Sequence, residues 1–184
     1  MRRALSRIAT AVLLGLAITA GALSAQDPAP ARPQDVESID AILEALYDVI
    51  SGPAGEKRDW QRFHSLFVPG ARLIPTGINQ QGAVRHRVMT PEEYVAASGR
   101  VLEERGFFER EIGRTTERFG NIAHVFSAYD SRHTAADPEP FARGINSIQL
   151  LYDGSRWWVV SIFWDSERDD NRIPDRYLRA GGGR

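Results

Sequence analysis

Residues 143–165 read RGINSIQLLYDGSRWWVVSIFWD, and this stretch decides the fold. It predicts a β-hairpin. Ile145–Tyr152 is rich in β-branched and long apolar residues, Asp153-Gly154 tolerates the positive φ of a tight type I′ turn, and Arg156–Trp164 returns as a second strand with three tryptophans. In the first strand Ile148, Leu150 and Tyr152 share one face, with Ser147 and Gln149 on the other. In the second strand both faces are apolar: Trp158, Val160, Ile162 and Trp164 against Trp157, Val159 and Phe163. A strand apolar on both sides is buried on both sides, so helices are expected on one face and a partner chain on the other.

Upstream, a helix is predicted from a cap at Asp35 or Ser38, because Ile39, Ile42, Leu43, Leu46, Val49 and Ile50 recur at helical spacing and Ser51-Gly52-Pro53 ends it. Its phase puts Tyr47 at the edge of the apolar stripe and Asp48 toward water. Asp59 caps a short helix, Trp60–Phe67, stopped by Pro69-Gly70; Trp60, Phe63, His64 and Phe67 fall on its inner side. Ala71–Ile78 and Val84–Met89 read as short strands around the turn Asn79–Gly82, the second a charged edge. Thr90-Pro91-Glu92-Glu93 is a capping box that starts a helix running to Arg105, with Gly106 after it. Phe107–Arg118 and Asn121–Ser131 are two more strands. The polar loop Arg132–Ala142 is long for a hairpin, and such loops often rim a site.

The ends differ in character. Arg2, Arg3 and Arg7 precede the apolar run Ile8–Ala20 and small residues at Ala22 and Ala25, the pattern of a secretory signal peptide cut after Ala22 or Ala25. The run is too short for a membrane anchor. Its removal takes the formal charge from −1 to −4. The chain thus divides into a signal peptide over 1–25, a flexible linker over 26–34 with three prolines, one domain over 35–165 and a charged tail over 166–184, whose docking points are Ile173-Pro174 and Tyr177-Leu178. The protein is expected to be periplasmic or secreted, without stable membrane insertion after cleavage. With no cysteine there is no disulfide, lipid-anchor cysteine or thiol chemistry, and without a basic stripe there is no sign of nucleic-acid binding.

The segments RDWQRFHSLFVPGARL, TPEEYV, GFFERE, NIAHVFSAYDSR, RGINSIQLLYDGSRWWVVSIFWD and IPDRYL resemble the nuclear-transport-factor-2-like superfamily, near its SnoaL-like branch, from about Asp35 to Leu178. The resemblance implies an α+β fold, a curved, mostly antiparallel sheet wrapped around three helices as a cone. It implies an apolar pocket inside the cone and dimers through the sheet's other face. It says little of function, because this fold hosts isomerases, dehydratases, cyclases, hydrolases and non-enzymes.

His64 is the candidate catalytic residue, an imidazole on the inner side of a helix that would line the cone. A core histidine with one structural hydrogen bond is the plainer alternative. Candidate pocket-lining residues are Tyr47, Trp60, Phe67, Tyr94, Tyr129 and Trp164. His124 could face either the pocket or an interface, His86 is solvated, and His133 could reach a pocket mouth. Four histidines without a short-spaced pair give no metal site, and no cofactor motif is present. Tyr47-Asp48 superficially matches the tyrosine–aspartate pair of enzymes resembling scytalone dehydratase, but the helical phase separates them. Asp130 and Asp165, at strand ends, read as solvated termini rather than general bases. Asn146, Ser147 and Gln149 could orient a polar ligand. Three functions stay open: an exported binder of a small apolar or amphipathic ligand; an isomerase, dehydratase or cyclase using His64 as general acid or base; a structural domain with a filled cone.

Overall fold

The computed structural model describes residues 30–178. The signal peptide, the linker up to Ala29 and the end of the tail from residue 179, including Gly181–Gly183, lie outside the described residues.

The chain runs α1 (Pro33–Val36), α2 (Ile39–Ile50), α3 (Trp60–Ser65), β1 (Phe67–Ile78), β2 (Val84–His86), α4 (Pro91–Tyr94), a π-helical turn (Val95–Gly99), α5 (Arg100–Arg105), β3 (Phe108–Phe119), β4 (Ile122–Arg132), β5 (Ala142–Tyr152) and β6 (Trp157–Ser166). The six strands form one sheet in the order β2-β1-β6-β5-β4-β3, parallel at β1–β6 and antiparallel elsewhere. The fold is therefore α+β, a curved and mostly antiparallel sheet with helices in its concavity.

Local chemistry sets the helix starts. The Ser38 hydroxyl accepts from the Ala41 amide, Asp59 accepts from the Arg62 amide, and Thr90 and Glu93 close the expected capping box. At its other end the α4–α5 stretch stops at Gly106, whose φ of 73° would strain a residue with a side chain. Ile42, Leu43, Leu46 and Val49 of α2 bury against Val125, Ile148, Leu150 and Val159 of the sheet, and Phe63, Leu66 and Phe67 complete this core.

Three irregularities curve the sheet and correct the sequence expectations. Phe67 belongs to β1 rather than to α3, because the carbonyl of its neighbour Leu66 accepts from the Val159 amide of β6 at 2.9 Å. Pro69-Gly70 then lies inside β1, within a register break between Phe67 and Arg72, instead of ending a helix. A second bulge lies between Glu111 and Gly113 of β3. The third is in β6: Leu150 opposes Val159 and Gln149 opposes Ser161, which leaves Val160 as the extra residue. Strict alternation fails there. Trp157, Val159, Ile162 and Trp164 all pack with the core cluster, while Val160 and Phe163 are 37% and 48% exposed. The two apolar faces read from the sequence are largely one face with a phase shift in it.

The β5–β6 turn is also wider than a type I′ turn. Only Gly154 has positive φ, and Asp153 uses one carboxylate oxygen to accept from the amides of Ser155 and Arg156 and from the Ser155 hydroxyl. These bonds, with one from the Trp158 indole, hold the Asp153 carboxyl far below the usual range.

The tail folds back across the convex side. Ile173 is buried, the Tyr177 ring sits 5.1 Å from Phe126, and the backbone of Tyr177 and Leu178 comes so close to Gly113 that a Cβ there would collide with it. Ile173 and Tyr177 dock as expected from the sequence. Among the described residues no helix is long and apolar enough to cross a membrane.

Candidate functional site

A cavity of about 290 Å³ opens inside the cone. α2 brings Tyr47 to it, α3 brings Phe63, and β6 brings Ile162 and Trp164. The α4–α5 stretch contributes Tyr94, Ser98 and Leu102; β3, β4 and β5 contribute Glu109, Tyr129, Ser131, Asn146 and Ile148. Most of this wall is apolar. Tyr94 stacks on Phe63 at 5.6 Å and meets the Trp164 ring edge-on at 6.3 Å.

One polar spot interrupts the wall. Ser51, just past α2, ties its two halves together: its hydroxyl donates to the Tyr47 carbonyl at 2.6 Å and accepts from the Glu109 amide at 3.0 Å. Tyr47 and Glu109 are thereby fixed relative to each other. The Ser131 hydroxyl donates to the Glu109 carboxyl at 2.8 Å, and the Asn146 amide donates to the Tyr47 hydroxyl at 3.2 Å. Gly144 lets Tyr129 lie flat beside β5, because a Cβ at 144 would meet the Tyr129 hydroxyl at 2.5 Å.

The electrostatics follow from burial. Glu109 keeps some accessible surface, but that surface faces the cavity, and protein surrounds the carboxyl. Desolvation pushes it up to about 7, against the pull of Ser131 and Asn146 and with a push from Asp130. Burial, with the Glu109 charge nearby, raises Tyr129 to about 12 and puts Tyr47 and Tyr94 well above the usual phenol range. The tyrosines are thus neutral hydrogen-bonding groups, and Glu109 is the cavity's group able to gain and lose a proton near neutrality.

Of the expected lining residues, Tyr47, Tyr94, Tyr129 and Trp164 meet at this cavity. Trp60 and Phe67 do not: the Trp60 indole donates to Glu103 at 2.9 Å, and Phe67 lies in the core. His64 also lies off the cavity. α3 turns Phe63 into the wall and carries His64 one step further round, toward Glu92 at the start of α4. Its Nε2 is buried and has no hydrogen-bond partner among the described residues.

Tyr47 and Asp48 diverge as the helical phase predicts, Asp48 pairing with Arg62. Asp130 is ion-paired: its burial is outweighed by Arg132 and Arg110, which hold it below the usual range. Asp165 is likewise held low by Arg168. His124 faces the convex side, 2.9 Å from Ser147. His133 stacks at 4.3 Å on Phe141, which lines the cavity, so the 132–142 loop does reach it.

Among the described residues no three His, Asp or Glu side chains are placed to hold a metal ion. A larger hollow, about 440 Å³, lies between the tail and the convex sheet. Its acids are already paired, Asp165 with Arg168 and Glu167 with Arg143, so the interior cavity is the better chemical candidate.

Sequence reasoning missed Glu109. Simple alternation does place Phe107 and Glu109 on one face of the predicted strand 107–118, and an inward Phe107 was the signal that Glu109 faces the inside.

No family model matches the sequence, and no curated protein matches it. Solved structures do. A Xanthomonas campestris protein described as a calcium/calmodulin dependent protein kinase II association domain superposes with a TM-score of 0.50 at 11% identity, over 71% of this chain and 86% of that one. A nuclear-transport-factor-2-like protein of unknown function from Silicibacter pomeroyi gives 0.48 at 14% identity, over 71% and 94%. A nuclear transport factor 2 superfamily protein from Salmonella enterica gives 0.46 at 12%, over 72% and 88%. At such identities the likeness is one of fold. The chain shares its cone-shaped α+β fold with the Xanthomonas campestris domain.

Proposed function

We propose that the cone binds a small, largely apolar molecule with one polar function held at Glu109, Asn146 and Tyr47. The observation that supports this is the cavity itself: open space walled by aromatic and aliphatic side chains, with a few convergent polar groups at one spot. Its volume lies at the small end of the ~300–1,000 Å³ typical of ligand clefts, which favours a compact ligand over a sterol-sized one. A filled structural cone fits this open space less well. Native mass spectrometry of the gently purified protein should find a retained small molecule, or uptake of one from a panel of apolar phenols and ketones. A protein that carries nothing and takes up nothing from the panel contradicts the proposal.

A proton-transfer enzyme is the second reading, and a different observation favours it. A carboxyl near 7, facing a cavity, suits a general base or acid at neutral pH. Glu109 takes the role that the sequence suggested for His64. A ketone bound in the cavity should exchange its α-protons with deuterated solvent, and Glu109→Gln should slow that exchange by about 100-fold. Exchange at the same rate in the variant excludes this reading.

Export and pairing complete the proposal. Arg2–Ala25 supports export, and the exposed Val160 and Phe163 on the convex face support a second copy there. N-terminal sequencing of exported protein should begin at Leu23 or Gln26, and sedimentation equilibrium at tens of micromolar, an order-of-magnitude range for modest affinity, should give twice the chain mass. An intact Met1 on a cytoplasmic product, or a monomer mass, would count against each in turn.

A further inference from the structure

Behind the cavity, a line of hydrogen bonds runs from Tyr47 toward the outside of the cone. The Tyr47 hydroxyl lies 2.6 Å from the Ser127 hydroxyl. Ser127 in turn hydrogen-bonds one oxygen of Glu111, and the other Glu111 oxygen is 3.2 Å from Arg114. Arg114 also pairs with Asp40 on α2. Glu111 does not line the cavity, and Ser127 is fully buried.

Each hydroxyl has a single proton, so the direction of this line can be counted through. Burial raises the Glu111 carboxyl, while Ser127 and its Arg114 partner favour the ionised form; as a carboxylate Glu111 accepts only, so Ser127 donates its proton to it. Ser127 therefore receives from Tyr47, whose proton is committed in turn. The amide donor of Asn146 takes one acceptor position of the Tyr47 oxygen. What remains toward the cavity is acceptor capacity.

We infer that Glu111, acting through Ser127, is a positioning residue that fixes Tyr47 as a hydrogen-bond acceptor and so selects ligands that bring a donor, an alcohol or phenol hydroxyl, to that spot. This rests on the pocket-binding proposal and narrows its ligand class from any polar function to a hydroxylated one. A ligand whose only oxygen is an ether or carbonyl finds no proton at Tyr47, and a buried acceptor facing an acceptor is disfavoured. The same constraint makes Tyr47 a poor acid for a bound carbonyl, which leaves proton donation to Glu109.

The test uses two probes that fit an apolar cavity, 2-naphthol, which can donate, and 2-methoxynaphthalene, which cannot. Titration calorimetry of the intact protein at pH 7 should give 2-naphthol about tenfold tighter binding, the effect of one net hydrogen bond. Glu111→Gln supplies an amide donor to Ser127, and Ser127→Ala removes the relay. Either change frees the Tyr47 proton, so the naphthol-to-ether ratio should fall toward one. A purely structural role for Glu111 would weaken both probes together and leave their ratio unchanged. Wild-type protein that binds the ether as tightly as the phenol overturns the inference without recourse to a variant. A ratio unchanged in both folded variants overturns it while the pocket stands. Failure of both probes to bind wild-type protein overturns the pocket proposal and the inference with it.

Discussion

Glu109→Gln should make the protein more stable at pH 8, by up to about 3 kcal/mol, and leave it nearly unchanged at pH 4. The Glu109 carboxyl titrates near 7 when folded, against its ordinary 4.5. Between those values the folded protein holds a proton that the unfolded chain has already released. Folded stability from this group is therefore complete below about 4.5 and is lost as pH rises through 7. A shift of this size corresponds to roughly 3 kcal/mol at ~1.4 kcal/mol per unit. Glutamine keeps the shape and stays neutral, so the variant lacks this loss. Urea unfolding of both proteins at pH 4 and pH 8 isolates the effect, because every other titrating group cancels in the comparison. A stability difference that does not change with pH would show that Glu109 is not desolvated. The expected gain in stability on removing the carboxylate is the signature of a group kept for chemistry or recognition rather than for folding.

Arg58→Met should cost about 3–5 kcal/mol, the sum of several buried carbonyls losing their donor. Arg58 is 7% exposed, and its guanidinium donates to the carbonyls of Ile50 at 3.1 Å, Glu56 at 2.7 Å and Leu102 at 3.2 Å, and also to Gly52. These acceptors end α2, form the loop after it and lie within α5. Methionine fills the volume and leaves several buried carbonyls without donors, each costing about 1–3 kcal/mol before relaxation. Arg58→Lys should recover little of the loss, because one ammonium cannot reach so many carbonyls in different directions. Thermal unfolding of the three proteins checks this. A change below about 1 kcal/mol for Arg58→Met would mean that water replaces the guanidinium at little cost.

Much of this architecture could be read locally. Ser38, Asp59 and Thr90 announce their helices because a cap satisfies amides within three residues of itself. The β5–β6 pair announces itself by apolar content. What escaped reading depends on residues far apart. Val160 looks like any strand valine, and only its pairing with β5 makes it a bulge. His64 shares a helical face with Trp60 and Phe67 on paper, but α3 ends at Ser65 and Phe67 turns into β1, so that face is never completed. Glu109 gains its character from Ser131, Asn146 and Tyr47, which stand on three other elements. Its environment is a product of assembly and is written in no short window of sequence. Arg58 is silent in the sequence for the same reason: its partners include Leu102, far along the chain.

The parallel pairing of β1 with β6 has a consequence for how a bound molecule would report on the whole protein. Leu73 of β1 and Ile162 and Trp164 of β6 share the cavity wall, although they are supplied from opposite ends of the domain. No fragment lacking either strand can build that wall. Occupancy is therefore linked to global rather than local opening, and a ligand at a hundred times its Kd would add about 2.7 kcal/mol to the stability of the entire domain. Slow hydrogen exchange throughout the sheet, and not only beside the cavity, would then mark the bound state.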